Sequence, residues 1–81
     1  MKAHVYVTLK RTVLDAQGQT IADALRRMQY YGVADVRQGK YFLLTLDPGL
    51  DRSAAEAEVA RITKDVLTNP VIEEFTFLLE D

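Results

Sequence analysis

Two stretches gather side chains able to bind or react: Leu9 through Gly18, reading LKRTVLDAQG, and the later run Asp35-Val36-Arg37-Gln38-Gly39-Lys40. Both place charged, amide and glycine residues where apolar segments end. Loops held by a rigid scaffold are where binding residues concentrate, so these two connections are the first candidates for a functional surface.

Catalysis is a poor match to the rest of the chain. His4 is the only histidine and there is no cysteine, which removes Cys–His dyads and the common zinc ligand sets. Ser53 is the only serine and is better placed to cap a helix than to act as a nucleophile. Glu73 and Glu74 are neighbours on an extended segment and therefore point to opposite faces, while Glu80-Asp81 is a solvated chain end. Neither Gly18 nor Gly39 belongs to a G-x-G-x-x-G or Walker pattern, so no phosphate cradle is indicated. The expectation is no catalytic residue, metal ligand or cofactor on this chain.

What remains is binding. Lys10, Arg11, Asp15, Gln17, Arg37 and Lys40 lie in connections at element ends that a partner protein can reach, while Gly18 and Gly39 are accounted for by the turns themselves. A plainer account competes with this: Asp15 and Gln17 can bond locally around a turn, and Arg37 and Lys40 beside Asp35 can form a solvated ion pair contributing about 0–1 kcal/mol.

The elements that would position these residues follow from periodicity. Ala3, Val5, Val7 and Leu9 alternate with His4, Tyr6 and Thr8, the period of a strand. Ile21, Ala24, Leu25, Met28 and Tyr31 trace one face of a helix, with Gly32 suited to its C-terminal cap. Val33 to Arg37 and Tyr41 to Leu46 read as a hairpin about Gln38-Gly39-Lys40, with Gly39 able to take a positive φ. Ser53 and Glu56 have capping-box spacing, and Ala55, Val59, Ile62 and Val66 give a second apolar stripe stopped by Asn69-Pro70. Val71 to Leu79 is a last strand. The order is βαββαβ, an α+β two-layer sandwich with a four-stranded antiparallel sheet and two helices on one face, ferredoxin-like in arrangement.

At 81 residues the chain forms one domain, 1–81, with a modest core. Disulfides cannot supplement that core, since cysteine is absent, and a reducing cytoplasm suits the composition. Met1-Lys2 leads directly into the first strand pattern rather than a signal peptide, and no apolar run approaches the roughly 20 residues that span a bilayer, so a soluble protein is expected. The net charge of −2, with both signs interspersed, argues against nucleic acid and anionic membranes as partners.

Self-association is the supplement left. If Val5, Val7, Phe42, Leu44 and Leu46 face the helices, with Phe75, Phe77 and Leu79, then Tyr6, Tyr41, Leu43 and Leu78 point outward among Thr8, Thr45 and Thr76. Such a surface is larger in apolar area than a small monomer usually exposes, so Tyr6, Tyr41 and Leu43 are assigned to packing of sheet on sheet in a homodimer or tetramer.

Across nearly its whole length the chain resembles PurS, the small-subunit family of phosphoribosylformylglycinamidine synthase. The resemblance is carried by Val5-Tyr6-Val7-Thr8-Leu9-Lys10, Val13-Leu14-Asp15-Ala16-Gln17-Gly18, Ala24-Leu25, Asp35 through Tyr41 and Asn69-Pro70-Val71-Ile72-Glu73. Ala16 stands where the family commonly has proline, which loosens the turn without removing a functional group. The resemblance implies a cytoplasmic, non-catalytic bridge between glutaminase and synthetase subunits in the fourth step of de novo purine synthesis. It also implies ATP and magnesium at the complex rather than on this chain, and partner contacts at Asp15, Gln17, Gly18, Arg37, Gly39 and Lys40.

Three other classes share parts of the pattern. An amino-acid-sensing regulatory module has the same element order, but a shared fold is not shared function. An RNA-recognition domain would need a basic glycine-aromatic strand and a positive face. An acylphosphatase-like enzyme would need a glycine-rich loop around an arginine after the first strand, and Lys10-Arg11-Thr12 offers no glycine.

Overall fold

The computed structural model describes residues 1–81. Strand β1 (Lys2–Leu9) is central in a three-stranded antiparallel sheet of order β2-β1-β3, with β2 at Gly39–Thr45 and β3 at Glu73–Glu80. Helix α1 (Ala16–Arg27) joins β1 to β2, and helix α2 (Arg52–Ile62), continued by a π-helical turn at Thr63–Leu67, joins β2 to β3.

Pairing register explains which side chains share a face. Val5 lies between Phe42 and Phe77, Ala3 between Leu44 and Leu79, and Val7 between Lys40 and Phe75. These form the inner face, as the alternation requires. Helix α2 seats Ala55 and Val59 on it, and with Ala3, Val5, Val7 and Leu79 they form the core, all buried.

Several details differ from expectation. Residues 33–37 do not form a strand, so the sheet has three strands and the hairpin about Gln38-Gly39-Lys40 is absent. Gly39 begins β2 without a positive φ, because the chain runs straight from residue 38 into the strand rather than turning.

Helix α1 ends at Arg27 with Met28 as its C-cap, earlier than Gly32, because Gln29 enters the left-handed region at φ 69°. Its N–H bonds the Arg26 carbonyl at 3.0 Å and the Tyr30 N–H bonds Leu25 at 2.9 Å, the paired bonds of a Schellman cap. Helix α2 is capped by Asp51, whose Oδ1 accepts from Ala54 N–H at 2.7 Å, and Ser53 lies inside it. The wide turn at 63–67 then shifts the buried face by one residue, so Leu67 packs against the core and Val66 is 75% exposed.

The second helix expected on the inner face is elsewhere. No residue of α1 belongs to the core, and along α1 only Gly18 and Ala22 are buried. The molecule measures 51 × 27 × 13 Å with a radius of gyration of 16.1 Å, against about 12 Å for a compact chain of this length. Residues 10–38 thus form an arm beyond the sheet, α1 leading outward and residues 29–38 returning to β2.

Candidate functional site

The arm meets the sheet at one junction, where the sequence-selected residues converge. Asp15 caps α1: Oδ1 accepts from Gly18 N–H at 2.9 Å, and Oδ2 accepts from Gln38 N–H at 2.6 Å across the arm. One carboxylate therefore ties the outgoing helix to the returning limb. Its oxygens are satisfied by amides, chiefly Gly18 then Gln38, with Arg37 adding its charge, and these outweigh burial to hold its pKa below the ordinary value.

Arg37 holds the same junction from the other limb. Its Nη2 lies 3.3, 3.1 and 3.3 Å from the carbonyl oxygens of Leu9, Lys10 and Val13. A guanidinium is always charged, and here it gathers the carbonyls of Leu9, at the end of β1, and of Lys10 and Val13 in the loop beyond it.

Gly18 and Gly39 are needed for close approach. A Cβ at Gly18 would overlap the Val36 carbonyl oxygen, and one at Gly39 would sit 2.6 Å from the Val7 oxygen.

Lys40 and Glu73 close the inner side. Lys40 Nζ lies 3.2 Å from Glu73 Oε2, and Glu73 Oε1 accepts from Asn69 N–H at 2.8 Å. That hydrogen bond from the Asn69 N–H, then Lys40, lowers the Glu73 pKa against the opposing effect of burial. Residue 73 shares the inner face with Phe75 and Phe77, whereas Glu74 is on the outer side beside Thr8.

Two clefts flank the junction. One of about 410 Å³ opens on the inner side, where Leu14, Gln17, Gly39, Lys40 and Glu73 line it. The other, of about 330 Å³, opens on the outer side between Thr8, Arg11, Asp35, Arg37 and Glu74. Of the six residues assigned to partner contact, Asp15, Gln17, Arg37, Gly39 and Lys40 line these clefts, Asp15 as a largely buried part of the inner wall, while Gly18 is buried and shapes the junction from within.

Glu73, Gln38 and Asn69 lie in stretches that the sequence singles out, but sequence reasoning assigned none of them to the site. Glu73 was weighed only as half of a carboxylate pair, although the turn-forming Asn69-Pro70 just before it signals a loop whose amides need an acceptor.

The outer sheet face carries the other assigned set. Tyr6, Tyr41 and Leu43 are 46%, 53% and 50% exposed, with Leu78 at 59%. His4 lies between Leu43 and Leu78; its Nδ1 is 2.6 Å from Tyr41 Oη, and Tyr41 tilts against Tyr6 at 5.4 Å between ring centres. No group of three or more His, Cys, Asp or Glu side chains is placed to hold a metal.

The family model for PurS, described as phosphoribosylformylglycinamidine (FGAM) synthase, matches residues 2–81. The chain is similar to the Mycobacterium leprae phosphoribosylformylglycinamidine synthase subunit PurS, 44% identical over 98% of this chain and 95% of that protein. It is similar in structure to Bacillus subtilis PurS, with a TM-score of 0.83 and 40% identity over 99% of this chain and 98% of that one. A chain in the structure of PurLQS from Thermotoga maritima matches at a TM-score of 0.82 and 30% identity, over 95% of this chain and 93% of that one.

Proposed function

Because the chain belongs to the PurS family, we propose that it serves phosphoribosylformylglycinamidine synthase as the piece that holds glutaminase and synthetase subunits in register while ammonia passes between them. It is a subunit of that ligase, acts in purine biosynthesis and associates with the enzyme's other subunits. The bridging role at the fourth step of that pathway is the further reading.

The observation that carries it is the junction with a cleft on each face of one thin sheet. Gln17, Gly39 and Lys40 are presented on the inner side and Arg37 on the outer, so two different proteins can grip one rigid point. Asp15 and Gly18 act through the shape of the loop. Ammonia released at one site is lost if it protonates or diffuses away, and a bridge that fixes the two sites supplies the orientation and exclusion of water that prevent this.

ATP and magnesium are expected at the synthetase subunit, and the cytoplasm is the expected compartment, consistent with a cysteine-free composition. No helix is long and apolar enough to cross a membrane. Tyr6, Tyr41 and Leu43 are assigned to packing against a second copy, as a dimer or tetramer.

The test is formation of formylglycinamidine ribonucleotide by the other two subunits with and without this chain, driven by glutamine or by ammonia. Glutamine-driven turnover should depend on the chain far more than ammonia-driven turnover. Equal dependence, or none, removes the bridging role. Arg37→Ala should weaken assembly with the body still folded, since its bonds all lie at the junction.

A further inference from the structure

Parity along β1 decides which backbone groups of the sheet are used. Lys10 N–H bonds the Ile72 carbonyl at 2.9 Å on the β3 side, and Leu46 N–H bonds the Met1 carbonyl at 3.0 Å on the β2 side. Bonded positions recur every second residue in an antiparallel pair. With the observed register, the even-numbered residues of β1 therefore bond Glu74, Thr76, Leu78 and Glu80 of β3. The N–H and C=O groups of Phe75 and Phe77 point away from β1. Since β3 is an edge strand, no other segment bonds them.

Unpaired edge groups are a template for another strand, and charge is the usual way to blunt them. Here the charge is selective. Glu73, Glu74, Glu80 and Asp81 stand at the two ends of β3, with no charged residue between. A second copy of β3 laid antiparallel about Phe77 would set Glu74 against Glu80 and Glu73 against Asp81. Like charges directly opposite destabilise a pair, so this edge is unsuited to a copy of itself. The other edge, β2, has Lys40 as its one formally charged residue, and Glu73 already holds it.

The four carboxylates are not equally engaged. Glu73 is paired with Lys40, Asp81 lies 3.8 Å from Arg52, and Glu80 lies 3.5 Å from His4, whereas Glu74 has no ionic partner. Glu74 stands on the outer face opposite Thr8. Beside it a recess of about 280 Å³ opens between Tyr6, Thr8, Phe75 and Thr76. Such a recess suits the stem of a lysine or arginine whose charge ends at Glu74, with the Tyr6 ring alongside.

We propose that β3 is extended by a strand from another subunit of the enzyme. The incoming segment is extended, its backbone bonds Phe75 and Phe77, and a lysine or arginine on it lies against Glu74. Its inward side chains are apolar, to cover the part-buried Phe75 and Phe77. Main-chain bonds give a contact of this kind its affinity, and side chains at alternate positions give its specificity. The inference rests on the chain's association with the other subunits and not on the two clefts of the junction.

The test uses the whole chain and the synthetase and glutaminase subunits, added one at a time. In the free chain the amides of Thr76 and Leu78 should resist hydrogen exchange and those of Phe75 and Phe77 should not. Saturation with one of the two subunits should slow Phe75 and Phe77 by about tenfold or more. No slowing with either subunit overturns the proposal, and so does protection already present in the free chain. Two variants probe the contact itself. Glu74→Lys, at an exposed position, should weaken binding of that same subunit by at least about tenfold, with the thermal midpoint kept. An N-methyl group on the Phe77 backbone, introduced in a synthetic C-terminal segment, removes the outward N–H and spares the side chain and the β1–β3 ladder. It should weaken binding by about tenfold. Unchanged binding of either variant overturns the proposal. Edge protection is read at the amides and the bridging role at turnover, so the two ideas fail separately.

Discussion

In the body, β1, β3 and α2 close on Ala3, Val5, Val7, Ala55 and Val59, none of which touches solvent, whereas the arm meets the sheet through one carboxylate, one guanidinium and backbone amides. The first kind of contact scales with buried area and carries no directional requirement. The second depends on a few distances and on charge. A fold can therefore keep its body under conditions that release its arm, and the clefts at their junction inherit the arm's sensitivities.

Core truncation separates the two most strongly. Val5→Ala should destabilise the body by about 2–3 kcal/mol through lost burial and an incompletely collapsed cavity, lowering the thermal midpoint by roughly 10 °C or more. Sheet and arm should melt together, since the arm has no core of its own; an arm that stayed ordered after the sheet melted would break the comparison.

Asp15→Ala acts on the other side. It removes the acceptor of both Gly18 N–H and Gln38 N–H, so those amides should exchange hydrogen about tenfold faster, while the amides of Val5 and Phe42 keep their protection. Equal acceleration across the chain would show that the junction is not locally held.

Acid should reproduce that opening without mutation. The folded pKa of Asp15 is depressed, so its contribution is fully present above the ordinary aspartate value of about 3.9 and is lost as pH falls through the lower folded value. Glu73 is depressed likewise, and its tie to Asn69 and Lys40 weakens over the same acidic window. Amide spectra recorded from pH 6 downward should change first at Gly18, Gln38 and Asn69, with the core amides following.

The smallest expected effect is a gain. Gln29 holds a left-handed conformation that costs a side-chain-bearing residue about 1 kcal/mol, and glycine would return part of this as unfolded-state entropy. Gln29→Gly should therefore raise stability by about 0.5 kcal/mol or less. A loss would mean that the Gln29 side chain contributes to the arm's tip.

Much of the body was legible in the sequence because alternation and helical stripes record burial. Val5, Val7, Phe42, Phe75 and Phe77 face inward, and Tyr6, Tyr41 and Leu78 outward, as their parity requires. The arm was not legible for the same reason. The stripe of Ile21, Leu25 and Met28 says that something covers α1, but periodicity does not say whether the cover is the same sheet. Val33 to Arg37 has the composition of a strand, and a strand exists only where an edge is offered. Asp15 and Arg37 were found by residue type, yet their bonds run to backbone atoms of Gln38 and Leu9, partners that no side-chain pattern encodes.

The unbroken path from residue 33 through Gly39 to Thr45 has a mechanical meaning. Because the outgoing limb leaves β1 after Leu9 and the returning limb enters β2 at Gly39, at the same end of the pair, a pull on the arm draws β1 and β2 together along their length and loads the β1–β3 ladder in shear. Its hydrogen bonds lie across that direction and resist together, whereas a hairpin pulled sideways would unzip one pair at a time. A subunit gripped at its arm and at its sheet by moving neighbours can thus transmit force as a strut, without first yielding at its edge strand.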